Sequence, residues 1–437
     1  MLLFSLRSSA RTIAVAATVL ALVACSDERP LEPVAPLSPD APVAASQATT
    51  SGNQVRMVEL GNMIFDDPDL SLRRNQSCAS CHDPKFGFTA PSSIINATGS
   101  VMPGSVPTRF GNRRPPSAAY AAFAPVLHFD DEDGAWVGGN FWDGRATGAR
   151  LGNPSAEQAL GPFLNSVEMA LPDAACVIYR ITHSKYAGLW RATWGNSVGS
   201  ISFPSARAME ELCGREGTVV PLSPADRRQL MQEYDRVGMS IAAFEASPRV
   251  SAFSSKFDQV LRGGARFTQD ERAGLALFNG KANCAACHPI DGERALLTDF
   301  TFDNLGVPAN PENPATIGGG FRDLGLGGFM RDGSLYGAQK VPTLRNLDKR
   351  PTPVMVKSFM HNGIFKSLEQ VVHFYNTRDV LPRCAAGIRP SDPRFGTTCW
   401  PRPEVADNVN TDELGNLGLT PVEERQLVRF LRTFSDR

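Results

Sequence analysis

The chain has no surplus of charge in either direction: 44 Lys and Arg stand against 45 Asp and Glu, a formal net charge of −1 over 437 residues. That balance, with no basic cluster, argues against nucleic acid as the main partner and leaves no patch for a polyanion or a membrane surface. No glycine-rich phosphate loop follows a strand, and nothing resembles a Ser/His/Asp triad, so P-loop and serine-hydrolase chemistry have no support. Strand signals are few. Histidine is scarce, with six in the chain, and residues 83–127 hold none. The apolar run Thr12 to Ala24 is too short to span a bilayer stably.

What is there is a repeated Cys-x-x-Cys-His, at Cys78-Ala79-Ser80-Cys81-His82 and again at Cys284-Ala285-Ala286-Cys287-His288. This is the attachment signature of c-type haem. A helical turn presents both sulfurs to one porphyrin edge, and the following His points at the iron. Two copies, each ending in His and each preceded by a helix-like segment, imply two covalently bound haem c groups. The alternative is a zinc or redox Cys pair, but a closed zinc site normally takes four Cys/His ligands.

The N-terminus reads as a targeting segment. Arg7 and Arg11 precede the apolar run, which ends Leu22-Val23-Ala24-Cys25, similar to a bacterial lipobox. Cys25 would then carry lipid, with Ser26 after it pointing to the outer membrane; an ordinary secretory signal is the alternative. Residues 26–55, rich in Pro, Ala and Ser, suit a flexible tether. Of nine cysteines, Cys25 and the four of the motifs leave Cys176, Cys213, Cys384 and Cys399. An even remainder in an exported chain suggests two disulfides. Sequence proximity favours Cys176–Cys213 and Cys384–Cys399 among three pairings.

The apolar pattern is helical. Met57, Leu60, Ile64 and Phe65 form a stripe over Val55 to Phe65, leading to the first motif. Thr268 and Glu271 make a capping box for a helix leading to the second, and Thr420 and Glu423 make another for a terminal helix with Pro421 at its first position. Ser223 to Phe257 reads as one long connecting helix with Leu230, Tyr234, Val237, Ile241 and Phe244 on one side. Gly/Pro-rich loops over 89–118 and 303–337 are credible where a haem replaces part of the core. The expected fold is mostly α: a signal segment over 1–25, the tether, and two c-type cytochrome domains over 56–262 and 263–437, with their haems facing a domain interface.

Several further stretches occur together: Leu60-Gly61 with Phe65-Asp66-Asp67 and Leu70-Ser71; Phe141-Trp142-Asp143-Gly144-Arg145-Ala146; Glu157-Gln158-Ala159-Leu160-Gly161-Pro162 with Glu168-Met169; Val341-Pro342-Thr343-Leu344-Arg345-Asn346; and Met360-His361-Asn362-Gly363. From about residue 56 onward the chain resembles the bacterial di-haem cytochrome c peroxidase superfamily, which includes the MauG type. The resemblance implies that the haem of His82 meets hydrogen peroxide and that the haem of His288 stores and passes electrons. It assigns Glu168 as the distal acid and Gln158 as its hydrogen-bonding neighbour; the alternative is a surface Glu on a helix. A carboxyl beside an open iron position can move the proton that O–O cleavage requires. Trp142 matches a tryptophan between the haems, where an indole relays an electron, or else it is a core aromatic. Arg145 and Arg345 either hold haem propionates or are structural ion-pair residues. His183 reads as a surface or capping residue, and His361 lies near the second haem without ligating it.

Two departures from the peroxidase pattern carry information. The loop after the first motif lacks the His that plugs the peroxide site in typical members, and His128 does not match its position, so the first haem is expected to be open at rest. Counting from His361, the position of the Met axial ligand falls on Tyr375, as in MauG-type proteins. Phenolate lowers the potential relative to thioether. His373 is a competing ligand on another helical face, and a core role for Tyr375 is the third option. Calcium, often bound by the Asn of an Arg-Asn-x-Pro motif between the domains, meets Arg114 at that position in Arg113-Arg114-Pro115-Pro116. An arginine cannot ligate a cation through its side chain, so only backbone carbonyls remain to hold calcium.

The function expected is peroxide reduction with electrons from a small redox protein, a cytochrome c or a cupredoxin. The alternatives are a MauG-like oxidase acting on an oxidisable partner protein and a non-catalytic electron-transfer cytochrome. The expected location is the periplasm, with membrane attachment only through lipid on Cys25.

Overall fold

The computed structural model describes residues 52–317 and 320–437. Cys25, the signal segment and most of the tether lie outside the described residues. Six principal helices set the frame: α1 (Gly52–Phe65), α2 (Pro154–Leu164), α3 (Pro224–Glu245), α4 (Gln269–Asn279), α5 (Leu368–Thr377) and α6 (Pro421–Leu431). Strand is confined, among the described residues, to two small antiparallel pairs. β1 (His128–Asp130) pairs β2 (Ala135–Val137), and β3 (Phe302–Asp303) pairs β4 (Gln339–Lys340).

Capping chemistry explains the helix starts. Thr268 and Thr420 each accept from the N–H three residues on while Glu271 and Glu423 reach back, which satisfies donors that a helix leaves open. Asn153, Ser223 and Ser367 cap α2, α3 and α5 through their side chains, and Pro154, Pro224 and Pro421 open helices where no N–H is needed.

The long connecting helix is shorter than expected. It ends at Glu245, and a separate helix, Lys256–Leu261, begins after the Ser255 capping box. Pro248 is the physical reason: it lacks an N–H and disfavours helical backbone at Ser247. The five residues expected to share one face of α3 are all buried.

Two apolar cores result. One draws on residues 60–253 and centres on α1, α2 and α3; the other draws on residues 257–434 and centres on α4, α5 and α6. In each, the helix before the Cys-x-x-Cys-His turn crosses a neighbour at a glycine. A Cβ on Gly61 would strike the Ser240 carbonyl of α3, and one on Gly274 would strike the Gln426 carbonyl of α6. Gly274→Ala is therefore expected to lower stability by about 1–3 kcal/mol through overpacking, read by denaturant melts.

The remaining cysteines pair as sequence proximity favoured, Cys176 with Cys213 and Cys384 with Cys399. No helix of the described residues is long and apolar enough to cross a membrane.

Candidate haem and peroxide site

The first Cys-x-x-Cys-His forms a helical turn over Cys78–Cys81, and the second forms a 3-10 turn over Cys284–Ala286. The His82 and His288 Nδ1–H groups donate to the carbonyls of Phe88 (3.0 Å) and Leu297 (2.8 Å). Each bond fixes the ring and leaves Nε2 as the free lone pair. Burial holds the His82 imidazole below its ordinary value and pulls that of His288 to about 4, so both are neutral, as an iron ligand must be.

The four motif cysteines are unpaired. Burial raises every one of these thiols, to about 12 at Cys81, Cys284 and Cys287. Among the described residues no group of three or more His, Cys, Asp or Glu gathers as a metal site.

Both motifs open on one continuous cavity. Gln158 on α2 lines it, as do Pro162 and Met169. Glu168 lies in the turn after α2 and not on a helix, held by Glu168 N–H to the Asn165 carbonyl (2.9 Å) and Ser105 N–H to the Glu168 carbonyl (2.7 Å). Its carboxyl accepts from Asn165 Nδ2 at 2.8 Å. Burial raises the Glu168 carboxyl above its ordinary range, against the opposing pull of Arg145 and Asn165. Its charge acts on both Cys78 and Cys81, which sets it beside the first motif.

Trp142 lines the same cavity and is 6% exposed. Its indole N–H donates to the Arg114 carbonyl at 2.9 Å, the Arg114 guanidinium lies 5.8 Å over its ring, and His361 meets it edge-on at 6.4 Å. Arg145 lies over the Phe141 ring and pairs with Asp143 at 2.9 Å. Arg345 is committed to Asp258 (2.6 and 2.8 Å) and to the Ala295 carbonyl, which favours its structural alternative.

Tyr375 on α5 lines the cavity, and the second motif's Cys284 and Cys287 act on its phenol, which burial raises first of all. His373, two residues away, turns from the cavity and bonds Glu424 at 2.8 Å. His128 sits on β1 bonded to the Val126 carbonyl, and His183 caps the helix Ala174–Thr182 by bonding Tyr179. The cavity-lining histidines among the described residues are His82, His288 and His361.

Next to Arg114, the position expected for a calcium ligand, the Arg113 fork binds both oxygens of Asp323 (2.6 and 2.7 Å) and reaches Asp143 at 2.6 Å. A guanidinium thus neutralises the carboxylates gathered there.

Sequence reasoning gave no role to Arg114 and Lys340, two of the cavity's cations. Arg114 is half-buried, and its guanidinium makes one bond, Nε to the Met360 carbonyl at 3.2 Å. Lys340 reaches the Gly139 carbonyl and Asn140 Oδ1. Neither has a carboxylate partner among the described residues, and burial lowers them to about 10 and about 7. The basic residues stand next to recognised stretches, but lack of a partner is not visible in sequence. Gln76 Oε1, both polar atoms of Gln339 and His361 Nε2 also line the cavity with no hydrogen-bond partner among the described residues. An apolar cavity with neutral imidazoles, open thiols, lone cations and orphaned polar atoms fits a large apolar macrocycle with anionic side groups.

Comparison with known proteins agrees. Residues 55–266 match the family model for di-haem cytochrome c peroxidase. The chain is 33% identical to the methylamine utilization protein MauG of Paracoccus denitrificans, over 92% of this chain and 95% of that one. It is 26% identical to the cytochrome-c peroxidase IdrP2 of Denitromonas iodatirespirans, over 73% of each chain. The crystal structure of the diheme peroxidase BthA from Burkholderia thailandensis matches with a TM-score of 0.67 at 31% identity, covering 87% of this chain and 86% of that one. The chain belongs to the di-haem cytochrome c peroxidase family and is a peroxidase-type oxidoreductase.

Proposed function

We propose that this protein reduces hydrogen peroxide to water through two covalent haems, one held by Cys78, Cys81 and His82 and the other by Cys284, Cys287 and His288. The observation that carries this reading is the single cavity shared by both motifs and Glu168. When bound, haem iron supplies a peroxide-binding site and one-electron steps.

The chain supplies the rest. Glu168 takes the proton from one peroxide oxygen and returns it to the other as the O–O bond breaks, and Gln158 orients the peroxide by hydrogen bonding. Trp142, fixed through its N–H, relays electrons between the two halves of the cavity. Arg114 and Lys340, half-buried with no carboxylate partner among the described residues, would hold haem propionates. Tyr375 completes the second haem's ligands, a reading supported by its cavity-facing position and by His373 facing Glu424.

Two electrons per peroxide come from a small redox protein, a cytochrome c or cupredoxin. We place the enzyme in the periplasm, tethered through lipid on Cys25, with haem domains near 56–262 and 263–437. Calcium has no part in this scheme, since Arg113 already neutralises Asp143 and Asp323. The MauG-like alternative, oxidation of a partner protein, gains support from the absence of any histidine over 83–127 and from Tyr375.

Tyr375→Met is expected to raise the second haem's potential and alter its spectrum, whereas His373→Ala leaves both unchanged. Spectroelectrochemical titration checks this, and the reverse pattern would transfer the ligand role to His373. Haem attachment is tested by intact mass: two haems per chain in the native protein, and a lower covalent haem content in Cys284→Ala.

A further inference from the structure

Tyr120 was not singled out by any motif, yet it is the tyrosine placed best for redox chemistry apart from Tyr375. It lines the cavity and is 1% exposed. Its hydroxyl donates to Asp436 Oδ2 at 2.7 Å and accepts from the Phe253 N–H at 2.9 Å. The backbone holds it at φ 66°, a left-handed conformation costly for an aromatic residue, and its N–H is pinned by Ser251 Oγ.

Asp436 is a receiver. Besides Tyr120, it accepts from Asn346 Nδ2 (2.9 Å) and from the Ser254 N–H (2.9 Å) and hydroxyl (3.2 Å), the all-acceptor pattern of an ionised carboxylate. It also lines a charged surface hollow with Lys85, Lys256, Lys349 and Arg432. One hydrogen bond therefore joins the interior cavity to a hollow open to water.

The molecule contains a comparison. Tyr186 donates to Asp67 at 2.6 Å in the same way, but it does not line the cavity.

We propose that Tyr120 and Asp436 form a proton-coupled redox pair that supplies one electron to the peroxide-oxidised site. The proposal rests on the peroxidase reading above, with hydrogen peroxide as the oxidant. The Tyr120 O–H bond breaks; the electron passes to the oxidised site, and the proton passes to Asp436 Oδ2. A neutral phenoxyl radical and a protonated carboxyl remain. An electron from the donor protein and return of the proton restore the pair. Burial already raises the Tyr120 phenol, with Asp436 adding to it, so loss of the proton accompanies loss of the electron and does not precede it.

The test is freeze-quench electron paramagnetic resonance of the holoprotein mixed with equimolar hydrogen peroxide. The expected result is a radical signal that narrows in protein made with ring-deuterated tyrosine, is lost in Tyr120→Phe and persists in Tyr186→Phe. Should Tyr120→Phe not fold, Asp436→Asn carries the test: it keeps the acceptor but is too weak a base, so the tyrosyl signal is lost there too. A signal insensitive to deuteration, or unchanged in Tyr120→Phe or in Asp436→Asn, overturns the pair while leaving peroxide reduction intact. Peroxide that leaves the haem absorption unchanged even after partial reduction overturns both readings.

Discussion

Glu168→Gln slows peroxide reduction by roughly 10²–10⁴-fold, the range general acid–base catalysis contributes, while both haems stay attached. Glutamine keeps the size and the hydrogen bond with Asn165 but cannot take up and return a proton. The carboxyl must be ionised to take the first proton. Its folded value is raised by burial, so activity should be lost as pH falls through a point above the ordinary value of about 4.3, and Gln at 168 should abolish that limb. Steady-state rates across pH for both proteins, with the resting absorption spectrum as a check on attachment, decide it. A loss of less than about threefold would return Glu168 to a structural role.

Asp258→Asn should destabilise the holoprotein by about 3–5 kcal/mol, the cost of breaking a buried ion pair by removing one partner. Arg345 and Asp258 side chains are both 0% exposed, with nitrogen and oxygen 2.6 Å apart. The Arg345 guanidinium also lies over the rings of Tyr120 and Phe253, which belong to the other core. Removing Asp258 strands that charge where the two cores meet. Burial pushes the Asp258 carboxyl up, but bonds from Arg345 and Ser255 outweigh it and hold the value below the ordinary range. A depressed carboxyl contributes stability fully above its unfolded value of about 3.9 and loses it as pH falls through the lower folded value. The gap between native protein and variant in urea melts should therefore be full at neutral pH and shrink in acid. A gap under about 1 kcal/mol at neutral pH would mean that the site relaxes or admits water.

The local chemistry of this chain was legible and the long-range chemistry was not. Thr268 with Glu271 and Thr420 with Glu423 are contiguous signals, and both open helices where their spacing said they would. Cysteine proximity gave the disulfide partners for the same reason. The break in the connecting helix was readable at Pro248, but a strong apolar stripe up to Phe244 outweighed it. Tyr375 and His373 show a different limit. Both lie on α5, and only the packing of α6 decides that His373 meets Glu424 while Tyr375 faces the cavity. Arg345 finds Asp258 across 87 residues and Tyr120 finds Asp436 across 316, distances at which no periodicity carries information. The cations without carboxylate partners among the described residues, Arg114 and Lys340, are invisible for the same reason, because a missing counter-charge is a property of the folded neighbourhood.

We propose that the first haem site is open at rest, with Glu168 beside it and no histidine over 83–127 to close it. Stopped-flow absorption of the fully oxidised holoprotein mixed with equimolar hydrogen peroxide tests this most directly. A prompt Soret change without prior reduction is the predicted result. No change until one haem has been reduced, followed by rapid turnover, would contradict it and show that some other group closes the site at rest.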